Sequence, residues 1–184
     1  MRLEPMTPDH VDGLTLVGLD PDLWRWIPDQ VTTRDEMRAY VTKALDEFQR
    51  GVSLPFVTIA NAGNRIVGST RYGNIDLPDR RLEIGWTWIT PAYQRSAANT
   101  ETKLLLLTHA FETLKVNRVE LKTDALNQKS RAAILRLGAV EEGIFRKHIV
   151  TASGRVRDTV YFSIIDSEWP AVKARLSAFL HPGS

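Results

Sequence analysis

Between Thr33 and Gly51, the apolar residues Met37, Tyr40, Val41, Ala44, Leu45 and Phe48 fall on one helical stripe, the signature of a helix with a single buried face. Thr33 stands where a cap belongs, Asp35 and Glu36 occupy the first turn, and Gly51 is a stop. The pattern then changes. "LPFVTIA" and "RIVGSTRYGNI" read as two strands joined at the turn "NAGN", and "RLEIGWTWIT" follows as a third. Strict alternation along that third strand places Leu82, Ile84, Trp86 and Trp88 on one face, with Glu83, Gly85, Thr87 and Ile89 on the other.

A strongly apolar helix is expected from about Thr100 to Leu114, with Leu104, Leu107, Phe111 and Leu114 as its stripe and Leu105 and Leu106 widening it. "RVELKT" reads as a strand, and "NQKSRAAILRLGA" as a short helix that Gly138 closes. "IFRKHIV" and "RVRDTVYFSII" form a hairpin around "TASGR". A last helix covers roughly Trp169 to Leu180. Before Thr33, "RLEP" is a short strand, and Thr7 to Trp26 holds short, interrupted helices. The order of elements predicts a mixed α/β sheet in one domain over residues 1–184, without repeats.

Composition narrows the function. The 184 residues are 43% apolar and 25% charged and contain no cysteine, which excludes disulfides, thiolate metal sites and a cysteine nucleophile. His10, His109, His148 and His181 are scattered along the chain, so no metal is expected. A net charge of +2 lacks the clustered basic face that nucleic acid requires. Its densest basic stretch, residues 145–157, reads as a solvated hairpin. No run is long and apolar enough to span a bilayer, and the N-terminus lacks a signal core. We therefore expect a cytoplasmic protein with neither a nucleic-acid nor a membrane partner.

Chemistry concentrates in two strand-to-helix connections. In "WITPAYQRSAANTETK", Asn99 and Thr100 are good N-cap types, and amides from Ser96 to Glu101 can converge on an anion. Arg95 adds a full charge, and Ser96, Ala97 and Ala98 are small enough for close approach. An ordinary capped helix explains the same residues, and Glu101 would repel a phosphate. In "TDALNQKS", Asn127 offers a donor and an acceptor, while Ser130 lies where it can meet a sulfur. Asn127 as a plain cap is the alternative. Consecutive strands that end in polar helix starts bring both loops to one sheet edge, where open α/β sheets bind ligands.

Here the chain resembles a family. "LEIGWTWITPAYQRSAANTETKLLLLTHAFE", "RVELKTDALNQKSRAAILRLGAVEEGIFRKH" and "GRVRDTVYFSIIDSEWP" are similar to the GNAT acetyltransferases, and more narrowly to their RimJ/RimL-like branch of ribosomal-protein N-terminal acetyltransferase homologues. The resemblance implies an α/β (α+β) fold: a single mixed, mostly antiparallel, twisted sheet of about seven strands flanked by helices, with a splayed central pair. It also implies acetyl-CoA as co-substrate, no metal, an amine acceptor such as a protein N-terminus, and a homodimer. Gln94, Ala97 and Asn99 stand at the marked positions of the family's Q/R-x-x-G-x-G/A loop, with Ala97 in place of the first glycine. Trp88 and Ile89 would pair with the pantetheine arm through their backbones, and Asn127 and Ser130 match the family's N-x-x-S element.

The implied reaction is direct transfer of an acetyl group to a neutral amine, the work of an acyltransferase moving groups other than amino-acyl groups. Glu83 is the expected base and the Ile89 N–H the expected oxyanion donor, with Ser130 serving the departing thiolate. His148 and Asp158 are reserves. Trp24 and Trp26 would line the acceptor pocket or else pack in the core. A non-catalytic acyl-CoA-binding sensor of the same fold is the alternative.

Overall fold

The computed structural model describes residues 1–181. Its seven strands are β1 (Arg2–Pro5), β2 (Leu54–Ala60), β3 (Arg65–Asp76), β4 (Arg81–Ile89), β5 (Arg118–Asp124), β6 (Val140–Val150) and β7 (Val156–Ile165). They form one sheet in the order β1-β2-β3-β4-β5-β7-β6. Every neighbouring pair is antiparallel except β4 and β5. The helices are α1 (Val11–Gly18), α2 (Pro21–Trp24), α3 (Arg34–Gln49), α4 (Ala98–Thr108), α5 (Gln128–Leu137) and α6 (Trp169–Leu180). This is the mixed, mostly antiparallel sheet with flanking helices that the resemblance implied. Among the described residues no helix is long and apolar enough to cross a membrane.

Two apolar layers sit on opposite faces. On one, Tyr72, Leu82, Ile84, Leu121 and Phe162 pack under α4, α5 and α6; on the other, Val57, Ile59 and Trp88 pack under α1, α2 and α3. Each fully buried aliphatic side chain contributes roughly 1.5–3 kcal/mol. Helix α3 follows its sequence signals: the Thr33 hydroxyl accepts from the Glu36 amide, and Glu36 returns the bond to Thr33. Phe48, however, at the end of the expected stripe, is exposed.

Helix α4 begins at Ala98, two residues before the expected start. Asn99 and Thr100 therefore lie inside the first turn and are not caps. The Ser96 hydroxyl takes the Ala98 amide at 3.2 Å instead. After Thr108 the ladder widens to a π-turn over His109–Thr113. The stripe rotates accordingly: Leu106, Leu107, Ala110 and Phe111 are buried, while Leu105 and Leu114 face solvent.

The largest departure is in β4. Ser69 pairs with Trp88 but Arg71 with Gly85, so two residues of β4, Trp86 and Thr87, oppose one of β3, Thr70. This is a β-bulge, and Trp86 takes the left-handed conformation at φ 49°. A one-residue insertion inverts the alternation beyond it. Trp88 thus joins the α1–α3 layer while Leu82 and Ile84 belong to the other. The strictly alternating faces expected for this strand do not hold past Gly85. The Trp86 ring rests where a Gly73 side chain would be, since a Cβ there would lie 2.3 Å from it, and the buried Arg71 guanidinium stacks on it at 4.9 Å.

Candidate active site

Strands β4 and β5 pair only from Arg81–Glu83 with Arg118–Glu120 and diverge beyond. The divergence opens a cleft of about 1490 Å³ that reaches from the starts of α4 and α5 to the Asp20–Pro28 segment. The edge of β4 that faces this space follows from its ladder. Thr90 N–H donates to Val67 O at 2.8 Å, so the next hydrogen-bonded pair is Trp88 with Ser69, and Ile89 sits between them opposite Gly68. In an antiparallel ladder the intervening residue turns its amide and carbonyl away from the partner strand. Ile89 therefore presents its N–H to the cleft. The backbone of Trp88 is turned to β3, and so does not serve as the second pairing residue expected of it.

One wall is the loop from Pro91 to the start of α4. The Gln94 amide donates to Ile89 O at 2.9 Å and accepts from Lys129 Nζ at 2.6 Å, tying this loop to α5. Ser96 Oγ donates to Tyr93 O at 2.7 Å. The residue with positive φ is Arg95, at 57°, whereas Ala97 has φ −65°. A glycine is thus not required at position 97. The first ladder bond of α4 runs from Glu101 N–H to Ala97 O at 2.9 Å, which leaves the Asn99 and Thr100 amides outside the ladder. Arg95, Ser96 and Asn99 line the cleft; Ala97 is exposed and Ala98 buried. Thr100 is buried, and its hydroxyl accepts from Arg136 at 2.6 Å. Glu101 pairs with the Met1 amino group.

At the start of α5, Asn127 Oδ1 accepts from the Ser130 amide at 3.0 Å. Asn127 is thus the cap, with its Nδ2 unused by that bond. Both residues line the cleft. The structure also brings in a residue outside the sequence-based set. Lys103, only 6% exposed, reaches from the buried stripe of α4 to donate to Thr87 Oγ1 at 2.8 Å, and Thr87 Oγ1 shares a second bond with Thr70 Oγ1 at 2.8 Å. Burial pushes the Lys103 ammonium down to about 7, against the opposing pull of Glu83. Its sequence signal was a charge on the stripe three residues after Thr100 and four before Leu107.

The other wall is the polar sheet face that α1–α3 leave uncovered. Glu83, 7% exposed, accepts from Asn74 Nδ2 at 2.6 Å and pairs with Lys122 at 2.9 Å. Burial lowers the Lys122 ammonium, but Glu83, Glu120 and Tyr161 outweigh it and hold it above the ordinary lysine value. Lys122 also sits 4.6 Å from the Tyr161 ring, and the Tyr161 hydroxyl lies 3.5 Å from His148 Nε2. Trp26 and Trp86 complete this wall. The Trp26 carbonyl accepts from Arg157 at 3.3 Å.

Two expected residues lie elsewhere. Trp24 is 2% exposed; it donates to Gly18 O at 2.7 Å and packs on Tyr40 and Trp88, so it is core and does not reach the cleft. Asp158 is exposed and accepts from the Lys147 amide at 2.6 Å, away from the cleft lining. Among the described residues no cluster of ligating side chains suits a metal ion.

Residues 1–140 match the model of the acetyltransferase (GNAT) domain. The Bacillus subtilis (strain 168) protein named "Putative ribosomal N-acetyltransferase YdaF" is 35% identical over 108 residues, 59% of this chain and 58% of its own. The matched stretch therefore spans less than two thirds of that relative. A GCN5-related N-acetyltransferase from Brucella melitensis superposes with a TM-score of 0.90 at 34% identity, over 98% of this chain and 82% of that one. Mycobacterium smegmatis RimJ in complex with CoA-disulfide shares the fold, with a TM-score of 0.82 at 23% identity over 96% and 88% of the two chains. The chain belongs to the GNAT acetyltransferase family.

Proposed function

We propose that this member of the GNAT acetyltransferase family moves an acetyl group from acetyl-CoA directly to a primary amine, a protein N-terminus or a small-molecule amine, inside the splay between β4 and β5. The observation that carries the reading is convergence: two helix starts and one free strand amide open into a single cleft whose far wall is a polar face holding a buried carboxylate. Similarity to a protein named as a ribosomal N-acetyltransferase supports a protein acceptor.

The residues present fit an acyl-CoA. The unladdered amides of Asn99 and Thr100, with Arg95 beside them, suit a diphosphate at a helix start, while the Ser96 hydroxyl, whose proton goes to Tyr93 O, holds the loop in shape. Asn127 Nδ2 suits a carbonyl group of an extended arm, and Ser130 faces the same space. When bound, acetyl-CoA supplies the acyl thioester. Glu83 would take a proton from the acceptor amine, directly or through water, because only the neutral amine has a lone pair to share. Gly85 next to it keeps the approach open; a Cβ there would lie 2.8 Å from Glu83 Oε1. Ile89 N–H would meet negative charge that develops on the carbonyl oxygen. Trp26 and Trp86 would wall the acceptor.

Thiol release from acetyl-CoA with peptides bearing free N-termini and with small amines, set beside a binding titration, tests the reading. Turnover that Glu83→Gln lowers while binding stays intact is the expected result. Tight binding without turnover on any amine would replace it with the non-catalytic sensor.

A further inference from the structure

Lys103 lines the same cleft as Thr87, Ile89 and Ser130, and there a buried lysine without a carboxylate partner is costly. Among the described residues Lys103 takes part in no ion pair, and its hydrogen-bond partner is the Thr87 hydroxyl. A serine or glutamine at this point would tether α4 to β4 without burying an amine. The charges that face it are few. Glu83 pulls from β4 but is itself held by Lys122 of β5 and Asn74 of β3. From α5, Arg136 reaches α4 at Thr100, one turn earlier.

We propose that Lys103 is the proton donor to the coenzyme A sulfur as the acetyl–sulfur bond breaks, a catalytic residue beside Ser130. The inference rests on the acetyl-transfer reading above. Glu83 takes one proton from the ammonium before attack and passes it to solvent; as the new C–N bond forms, the nitrogen's second proton leaves by the same route. The C–S bond breaks, its electron pair stays on sulfur, and Lys103 Nζ passes a proton to that sulfur. Lys103 then recovers a proton from solvent, so each ammonium acceptor consumed releases one net proton. An ordinary thiol ionises near 8.5, so a proton held by an amine near neutrality moves to thiolate sulfur downhill. A serine hydroxyl can hydrogen-bond the same sulfur but gives up its own proton far less readily. Anionic coenzyme A favours the charged lysine, so the donor gains its proton on binding.

That last step supplies a readout independent of turnover. Calorimetry of coenzyme A binding at pH 7.5, in two buffers of different ionisation enthalpy, should show on the order of half a proton more taken up by the native chain than by Lys103→Met. In steady state, Lys103→Met and Lys103→Arg should each lose about 10²-fold in kcat, with KM for acetyl-CoA within about threefold. The fall of native kcat on the alkaline side should be absent from both variants. Arginine keeps the charge but cannot donate a proton at these pH values, so a fully active Lys103→Arg overturns the donor role. Equal proton uptake by the native chain and Lys103→Met overturns it too, as does loss of coenzyme A binding in both variants. A native chain that binds coenzyme A yet acetylates no amine sinks the acetyl-transfer reading and the donor role together; one that turns over while both variants match it sinks the donor role alone.

Discussion

Replacing Lys103 with methionine should make the unliganded protein more stable at neutral pH. The folded value of about 7 lies below the ordinary 10.5, so the native state holds the amine largely neutral at the cost of releasing its proton. That drop corresponds to roughly 5 kcal/mol at about 1.4 kcal/mol per tenfold, of which about 4 kcal/mol is felt at pH 7. Methionine has nearly the same length and no proton to lose. It forfeits the bond to Thr87, worth about 1 kcal/mol, and partial relaxation of the buried charge trims the rest. A net gain of about 1–3 kcal/mol remains. The sign of the pH dependence follows from the depressed value. Between pH 7 and 10.5 the unfolded chain binds more protons, so native stability climbs with pH and the advantage of Lys103→Met shrinks, by about 2 kcal/mol between pH 7 and pH 9. Urea unfolding of both chains at the two pH values measures this. A variant that is less stable at both, by a constant amount, would show that Lys103 is a charged tether and refute the reasoning.

Gly85→Ala should fold, because the atom its Cβ meets, at 2.8 Å, is the movable end of Glu83; kcat/KM should fall about tenfold with acetyl-CoA affinity unchanged, and an unaltered rate would remove Glu83 from the reaction. Arg95→Gly relieves a left-handed residue at φ 57° and should raise stability by about 1 kcal/mol while weakening coenzyme A binding. In the same loop, Ala97→Leu should stay folded, since Ala97 is exposed with φ −65°, and raise KM for acetyl-CoA about tenfold; unchanged cofactor kinetics would move the diphosphate site elsewhere. At the sheet edge, Arg118 holds the Glu142 carboxyl down to about 2, so the stability that pair gives is present above the ordinary value of 4.5 and lost as pH falls toward 2. Thermal unfolding of Glu142→Gln should therefore differ from the native chain at pH 6 and converge with it near pH 2, and a pH-independent gap would refute the pairing.

Legibility in the sequence tracked how local each signal was. Helix α3 could be read because its cap, first-turn acids and stripe all lie within one continuous stretch. The hairpin of β2 and β3 was legible for the same reason. The start of α4 was misread because Asn99 and Thr100 are the right residue types in the wrong place; Ser96, bonded to the Ala98 amide, does the capping. Trp24 and Trp26 look equivalent in "DLWRWIP", and only packing against Tyr40 and Trp88 sends one inward. The polar wall opposite the cofactor loops was largely invisible. Glu83 meets Lys122, and Trp26 meets Arg157, across long stretches of chain with no local periodicity to announce them.

The bulge at Trp86 shows how much follows from one irregularity that alternation hides. "LEIGWTW" alternates without a break, and nothing in it marks an extra residue. The cause lies on the neighbouring strand, where Gly73 vacates the space for the Trp86 ring and Arg71 stacks on it. Inverting the alternation has three consequences at once. Trp86 turns toward the acceptor side, Thr87 turns toward Lys103, and Trp88 enters the α1–α3 layer. Without the extra residue Thr87 would share a face with Glu83, and Lys103 would have no partner on β4. The same register leaves Ile89 in the pair that does not bond to β3, which turns its N–H into the splay. A single extra residue thus places the acceptor wall, the lysine contact and the strand amide relative to one another, and the chemistry proposed for this cleft depends on that placement.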